Sequence, residues 1–291
     1  MKCNRDFFTW DYNKKDEDNK DKYVKNDGGF KAWIKSLNRC ADCDKETYAE
    51  LLEEWCEEDL KNGDCPKENS IFISDGIVDP EEWGKQSKKI LFITKEAYNE
   101  SEPEPLKKAY NESKPLYAWD NIENVFKTKN MSGKIFWRHV YQWTEKILNP
   151  EADNSEILDE NRRKKEFVDV IKKIAVINVK KMYGNKKSVD KDLEAYVARH
   201  SKHIIKQIEI INPDIIICGY TCWLLDEGLK KDGKPIIRKE KNKSMSYNTE
   251  VFNDKNITVI DFWHPSGFHK KEEKFLNILS ESLKGENLTK N

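Results

Sequence analysis

Four short runs of almost continuously apolar, mostly β-branched residues mark the chain after residue 85. They are Ile90-Leu91-Phe92-Ile93, Ile174-Ala175-Val176-Ile177, Ile215-Ile216-Ile217-Cys218 and Ile257-Thr258-Val259-Ile260. A strand open to water on one side alternates polar and apolar residues. Continuous runs therefore predict strands covered on both faces, as in a parallel sheet. The stretches between them carry apolar residues three and four apart. Over Lys134–Leu148 this spacing aligns Ile135, Phe136, Val140, Trp143 and Ile147 on one helical face. Over Leu193–Ile211 it predicts a second helix, stopped by Asn212-Pro213. Strands alternating with helices predict an α/β fold: a three-layer α/β/α sandwich with a central four-stranded parallel sheet, spanning 71–291.

Residues 1–70 read differently. Eight acids and one lysine lie between Asp44 and Asp59, while Tyr48, Leu51, Leu52, Trp55 and Cys56 recur at helical spacing. The expectation is a mostly helical N-terminal extension with a solvated acidic face, one that would repel a nucleic-acid backbone.

Composition narrows the classes of function. The 52 basic and 53 acidic residues give a net charge of −1, which excludes a globally basic nucleic-acid coat and leaves only local patches. One such patch is Lys230–Lys243, with seven basic residues against Asp232 and Glu240; it reads as a solvated loop or as one that follows phosphates. Hydrophobic residues at 37% and nine tryptophans suffice for a core despite 36% charged residues. No apolar run approaches the roughly 18–20 residues of a membrane span, and the first residues lack the apolar stretch of a signal peptide. A cytoplasmic monomer is expected, its seven cysteines reduced.

Ligands of open α/β sheets bind outside the carboxyl ends of the strands, so the residues that follow each run carry the candidate chemistry. Thr94-Lys95-Glu96-Ala97-Tyr98-Asn99 follows the first run. Asn178 closes the second, before Val179-Lys180-Lys181. Gly219-Tyr220-Thr221 follows the third and Asp261-Phe262-Trp263-His264-Pro265-Ser266 the fourth. A carboxylate, a carboxamide and an imidazole are thus expected at one edge. His139, on an aromatic-rich helix with Phe136, Trp137 and Trp143, reads as a packed histidine instead.

The order of these motifs resembles the uracil-DNA glycosylase superfamily over about residues 85–270. The superfamily's first motif is a strand followed by Gly-Gln-Asp-Pro-Tyr-His, with which Thr94–Asn99 falls in register. Val176-Ile177-Asn178 is similar to its Leu-Leu-Asn element, and His264-Pro265-Ser266-Gly267-Phe268-His269 to its His-Pro-Ser-Pro-Leu-Ser. Glu96 stands where the family has aspartate, and Thr94 and Ala97 where it has glycine and proline. The resemblance implies catalytic roles for Glu96, which would position water and stabilise the cationic sugar, and for His264, which would stabilise the departing base. It implies base binding by Asn178 and by Tyr98, which would press against carbon 5 of a pyrimidine. Phe268 would be the wedge that fills the gap left by the flipped base. Lys95, Lys180, Lys181 and Ser266 complete the expected DNA contacts.

The chemistry of the residues supports the same reading. Cleaving an N-glycosidic bond passes through an oxocarbenium-like sugar that a carboxylate stabilises. The leaving base becomes anionic and gains from a donor aimed at its oxygen. A carboxamide offers donor and acceptor to a pyrimidine edge once the nucleotide is flipped. The expected function is a monofunctional DNA glycosylase acting on uracil or a modified pyrimidine. The alternatives are a glycosylase for hypermodified cytosine in phage DNA, serving antiviral defence rather than repair, and an inactive DNA-binding protein of the same fold. Cys40, Cys43, Cys56 and Cys65 raise a zinc or iron–sulfur reading. In the superfamily members with such a cluster the second cysteine pair follows the first motif, whereas here all four precede it. No metal and no cofactor are expected.

Overall fold

The computed structural model describes residues 75–96, 131–181, 188–228, 255–267 and 272–284, short strands between 230 and 252, and, upstream, 51, 52, 54, 55, 58, 59 and 62. The four apolar runs form β2 (Ile90–Thr94), β3 (Ile174–Asn178), β4 (Ile215–Gly219) and β9 (Lys255–Phe262). Adjacent members pair in parallel in the order β3-β2-β4-β9.

The sheet is larger and less uniform than a four-stranded parallel one. β1 (Gly76–Ile77) adds antiparallel to β3. On the other side, β8 (Ser246–Phe252) pairs antiparallel with β9, and β7 (Arg238–Lys239) with β8. The whole is a seven-stranded mixed sheet, with a separate pair formed by β5 (Lys230–Lys231) and β6 (Lys234–Pro235). The correction has a physical cause. A continuous apolar run marks only strands covered on both faces, so a two-residue strand such as Gly76–Ile77 or a polar-rich segment such as Ser246–Phe252 escapes that signature.

Helices cover both faces. On one lie α2 (Ile135–Leu148), α3 (Asn154–Leu158), α4 (Glu160–Ile171) and α7 (Glu272–Lys284), packed over Ile90, Phe92, Ile174, Val176, Ile215, Ile217, Ile260 and Phe262. On the other lie α5 (Asp190–Ile211), α6 (Cys222–Gly228), Trp83 of α1 (Pro80–Gly84) and the helical residues between 51 and 62, over Leu91, Ile93, Ala175, Ile177, Ile216 and Cys218. Alternate side chains of each strand thus enter opposite layers, the period-2 geometry of a strand. Local signals set the helix ends: Asp79, Asp153 and Asp159 each accept backbone N–H groups at an N-terminus. At the other end of α5, Asn212 takes the left-handed conformation (φ 49°) before Pro213.

The upstream segment departs from its expected pattern at one place. Leu51, Leu52 and Trp55 are buried as the spacing predicts, but so is Asp59, which is fully inaccessible rather than on the solvated acidic face. Tyr48 and Cys56 lie outside the described residues. Among the described residues no helix is long and apolar enough to cross a membrane.

Candidate functional site

β2 lies between β3, reached through α2 to α4 on one face, and β4, reached through α5 on the other. The chain therefore reverses its direction of travel across the sheet at β2. Such a switch point leaves a crevice at the carboxyl ends of the two strands it separates, where α/β folds bind ligands. Here those ends are Thr94-Lys95-Glu96 and Gly219-Tyr220.

Asn178, at the end of the neighbouring β3, is held in one orientation beside this crevice. It pairs in register with Thr94, whose hydroxyl donates to Asn178 Oδ1 at 2.8 Å. Asp75 accepts from the Asn178 backbone N–H at 2.7 Å and from Nδ2 at 3.0 Å. A carboxylate only accepts, so Nδ2 must face Asp75. Each amide pole spends part of its capacity in these contacts. Among the described residues, one N–H and one oxygen lone pair of this half-buried residue are left to meet a ligand.

Asp75 is the hub beneath. It is almost completely buried and also accepts from Lys181 Nζ at 2.5 Å and Gln207 Nε2 at 3.2 Å. Lys181 corrects an expectation. Placed among the DNA contacts by sequence, it is fully buried, donates to the Asn178 carbonyl at 2.8 Å, and lies 4.8 Å over the Trp55 ring. Burial pushes its pKa down, and the pull of Asp75 opposes that. An ammonium so enclosed cannot reach a phosphate.

The His-Pro-Ser turn closes the opposite side. The Ser266 backbone N–H donates to His264 Nδ1 at 3.1 Å, which puts the proton of the neutral ring on Nε2. His264 is half-buried, near Phe136 of α2, and Ser266 is exposed. His139 is packed as expected, stacked on Trp143 with ring centroids 5.7 Å apart. It does more than pack, because its Nδ1 donates to the Pro265 carbonyl at 2.6 Å and fixes the turn to α2.

Gly219 sits between the two sides. A Cβ there would stand 3.0 Å from Pro265 Cδ and 3.2 Å from Thr94 Cγ2, so a side chain would push the β2 end and the His-Pro-Ser turn apart by a few tenths of an ångström. Tyr220 follows with φ 59°, a left-handed conformation uncommon for a residue with a side chain, and the residue is 55% exposed. Its N–H donates to the carbonyls of Cys218 and Phe262, both at 2.8 Å, which ties the strained residue to β4 and β9. An aromatic presented in this way at a ligand crevice was identified in the sequence only by its place after β4.

The remaining candidates divide. Glu96 is half-buried just past β2. Lys95 Nζ is 2.9 Å from Asp190 and 4.9 Å over the Tyr220 ring, so its charge already has a partner. The Lys180 backbone N–H donates to the Lys95 carbonyl at 3.0 Å, joining the two loops. Tyr98 and Phe268 lie outside the described residues, as do Cys40, Cys43 and Cys65. Comparison of the chain with models of protein families yields no match, and comparison with curated proteins yields none either.

Proposed function

We propose that this protein is a monofunctional DNA glycosylase with the uracil-DNA-glycosylase-like arrangement of the sandwich. It would flip a pyrimidine nucleotide out of DNA and hydrolyse its N-glycosidic bond, leaving an abasic site. The observation that supports this best is the carboxamide of Asn178, fixed by Asp75 and Thr94 beside the switch point with a donor and an acceptor left over. That pair complements the carbonyl and ring N–H of a pyrimidine, and a preset orientation lowers the ordering cost of binding.

Around this contact the roles follow from chemistry. Glu96 holds the attacking water and balances positive charge on the sugar. His264 donates from Nε2 to the base oxygen that becomes anionic. Tyr220 offers an exposed ring face, and stacking a base on an aromatic is worth about 1–3 kcal/mol. Phe268 is proposed as the wedge, so Phe268→Ala should weaken excision from duplex more than from single strands.

Oligonucleotides carrying uracil or 5-substituted cytosines, treated with alkali to cut at abasic sites, test the reading. Glu96→Gln and His264→Ala should each slow cleavage by about 10²–10³, the usual cost of losing one positioned catalytic group, while DNA binding persists. Full activity in Glu96→Gln would remove that residue from the mechanism.

A further inference from the structure

Behind the sheet, where the upstream segment meets α5, Glu58, His200 and His203 each place one ligand-type atom within 4.8 Å of the others. His203 is the most informative of them. Its side chain is 2% exposed, and neither ring nitrogen has a hydrogen-bond partner among the described residues. A buried imidazole N–H left unbonded costs about 1–3 kcal/mol. Its Nε2 nevertheless lies near two carboxylates, 3.4 Å from Glu54 Oε1 and 3.6 Å from Glu58 Oε2. Those separations suit another geometry. Ligands about 2.0–2.2 Å from one tetrahedral metal lie about 3.4 Å from each other.

The surroundings are built to orient His200. Its Nε2 is 3.0 Å from Asp59 Oδ1, which places a buried carboxylate directly behind the ring. Asp59 is held in turn by the Tyr196 hydroxyl at 2.7 Å, which accepts from Trp55 Nε1 at 3.0 Å. A buried carboxylate behind an imidazole is the usual outer support of a metal-binding histidine. The α5 backbone also leaves helical geometry at His200 alone (φ −103°, ψ 17°), so the helix bends at this ligand. Lys202 competes for the same acids. It is 63% exposed and lies 3.3 Å from Glu54 and 3.5 Å from Glu58.

We propose that Glu58, His200 and His203, with Glu54 at the open side and Asp59 behind His200, form a site for a zinc-type divalent cation that fastens the N-terminal extension to the bend of α5. Two imidazoles and a carboxylate are a donor set that suits zinc rather than calcium or magnesium. The site is distinct from the crevice at the strand ends.

The full-length chain, stripped with a chelator, would be titrated with Zn²⁺ by calorimetry and with Co²⁺ by visible absorption. One equivalent of Zn²⁺ should bind, and Co²⁺ should give d–d bands without thiolate charge transfer. Glu58→Gln, at a residue 30% exposed and therefore compatible with folding, should weaken binding by at least about tenfold. His203→Gln should abolish it. Lys202→Gln should tighten it, a gain that misfolding cannot imitate. The Cys40→Ser, Cys43→Ser double variant should bind as the wild type does. Absence of stoichiometric binding, binding untouched by Glu58→Gln and His203→Gln, or binding lost with the cysteines would each overturn the proposal.

Discussion

The two faces of the sheet use their buried polar groups differently. Beneath α2, α4 and α7, strand residues such as Phe92, Ile217 and Phe262 meet Tyr141, Trp143, Phe167, Leu276 and Leu279. Buried polar groups on that side, His139, Gln142, Glu145, Lys146 and Arg163 among them, belong to the helices, and some meet partly exposed partners: Glu145 meets Arg162 at 2.8 Å and Gln142 meets Glu272 at 2.9 Å. Beneath α5, the apolar strand residues share their layer with Asp59, Asp75, Lys181, His200, His203 and Gln207, all buried. The first face stabilises the fold by area. The second also sets directions, since the carboxylate that neutralises Lys181 is the one that orients Asn178.

Breaking this second face should have the largest effect. Asp75→Ala leaves a buried ammonium without its partner and is expected to cost about 3–5 kcal/mol in denaturant unfolding. A cut on the apolar face, Ile217→Val, should cost only about 0.5–1.5 kcal/mol. Asp75→Leu combined with Lys181→Met should recover much of the stability but not the orientation of Asn178. Equal losses for Asp75→Ala and Ile217→Val would erase the distinction between the faces.

The junction between the site's two sides comes next. Gly219→Ala drives a methyl group to 3.0 Å from Pro265 and 3.2 Å from Thr94, so the His-Pro-Ser turn must shift. Overpacking of this kind costs about 1–3 kcal/mol. Excision should fall by more than the stability loss explains. Activity equal to wild type would mean that the turn need not be held there.

The smallest effect concerns pH on the apolar face. Contact with His139 holds the Glu272 carboxyl down to about 2 from its ordinary 4.5, with Gln142 and Arg138 adding and burial opposing. A carboxylate depressed in the folded state stabilises fully above its unfolded value and loses that contribution as pH falls through the folded one. The contribution is therefore complete above about pH 4.5 and gone below about pH 2. Glu272→Gln should remove that contribution at neutral pH, leave stability near pH 2 little changed, and so flatten the acid limb of the profile.

The strands were legible because burial on both faces demands a continuous apolar run, and the helices because one apolar stripe suffices. Asn178 and His264 were legible through the strands they follow. The polar layer was not. Asp59 sits in a run of acids, and what draws it inward is Tyr196, 137 positions away. Asp75 follows Ile71-Phe72-Ile73-Ser74 with no motif around it, and its partners lie more than 100 positions downstream. Lys180 and Lys181 are neighbours of identical type, separated only by the direction the chain takes after β3. Pairing across such distances has no local periodicity to betray it.

Release of a free base decides whether the crevice is catalytic. Wild-type protein incubated with duplex and single-stranded oligonucleotides bearing uracil, 5-substituted cytosines or unmodified pyrimidines would be analysed by mass spectrometry for free base and for the matching abasic strand. The proposed glycosylase should yield the two in equal amounts from at least one pyrimidine, with the strand otherwise intact. DNA bound without any base released from the whole panel would contradict it and leave a binding protein built on the same sheet.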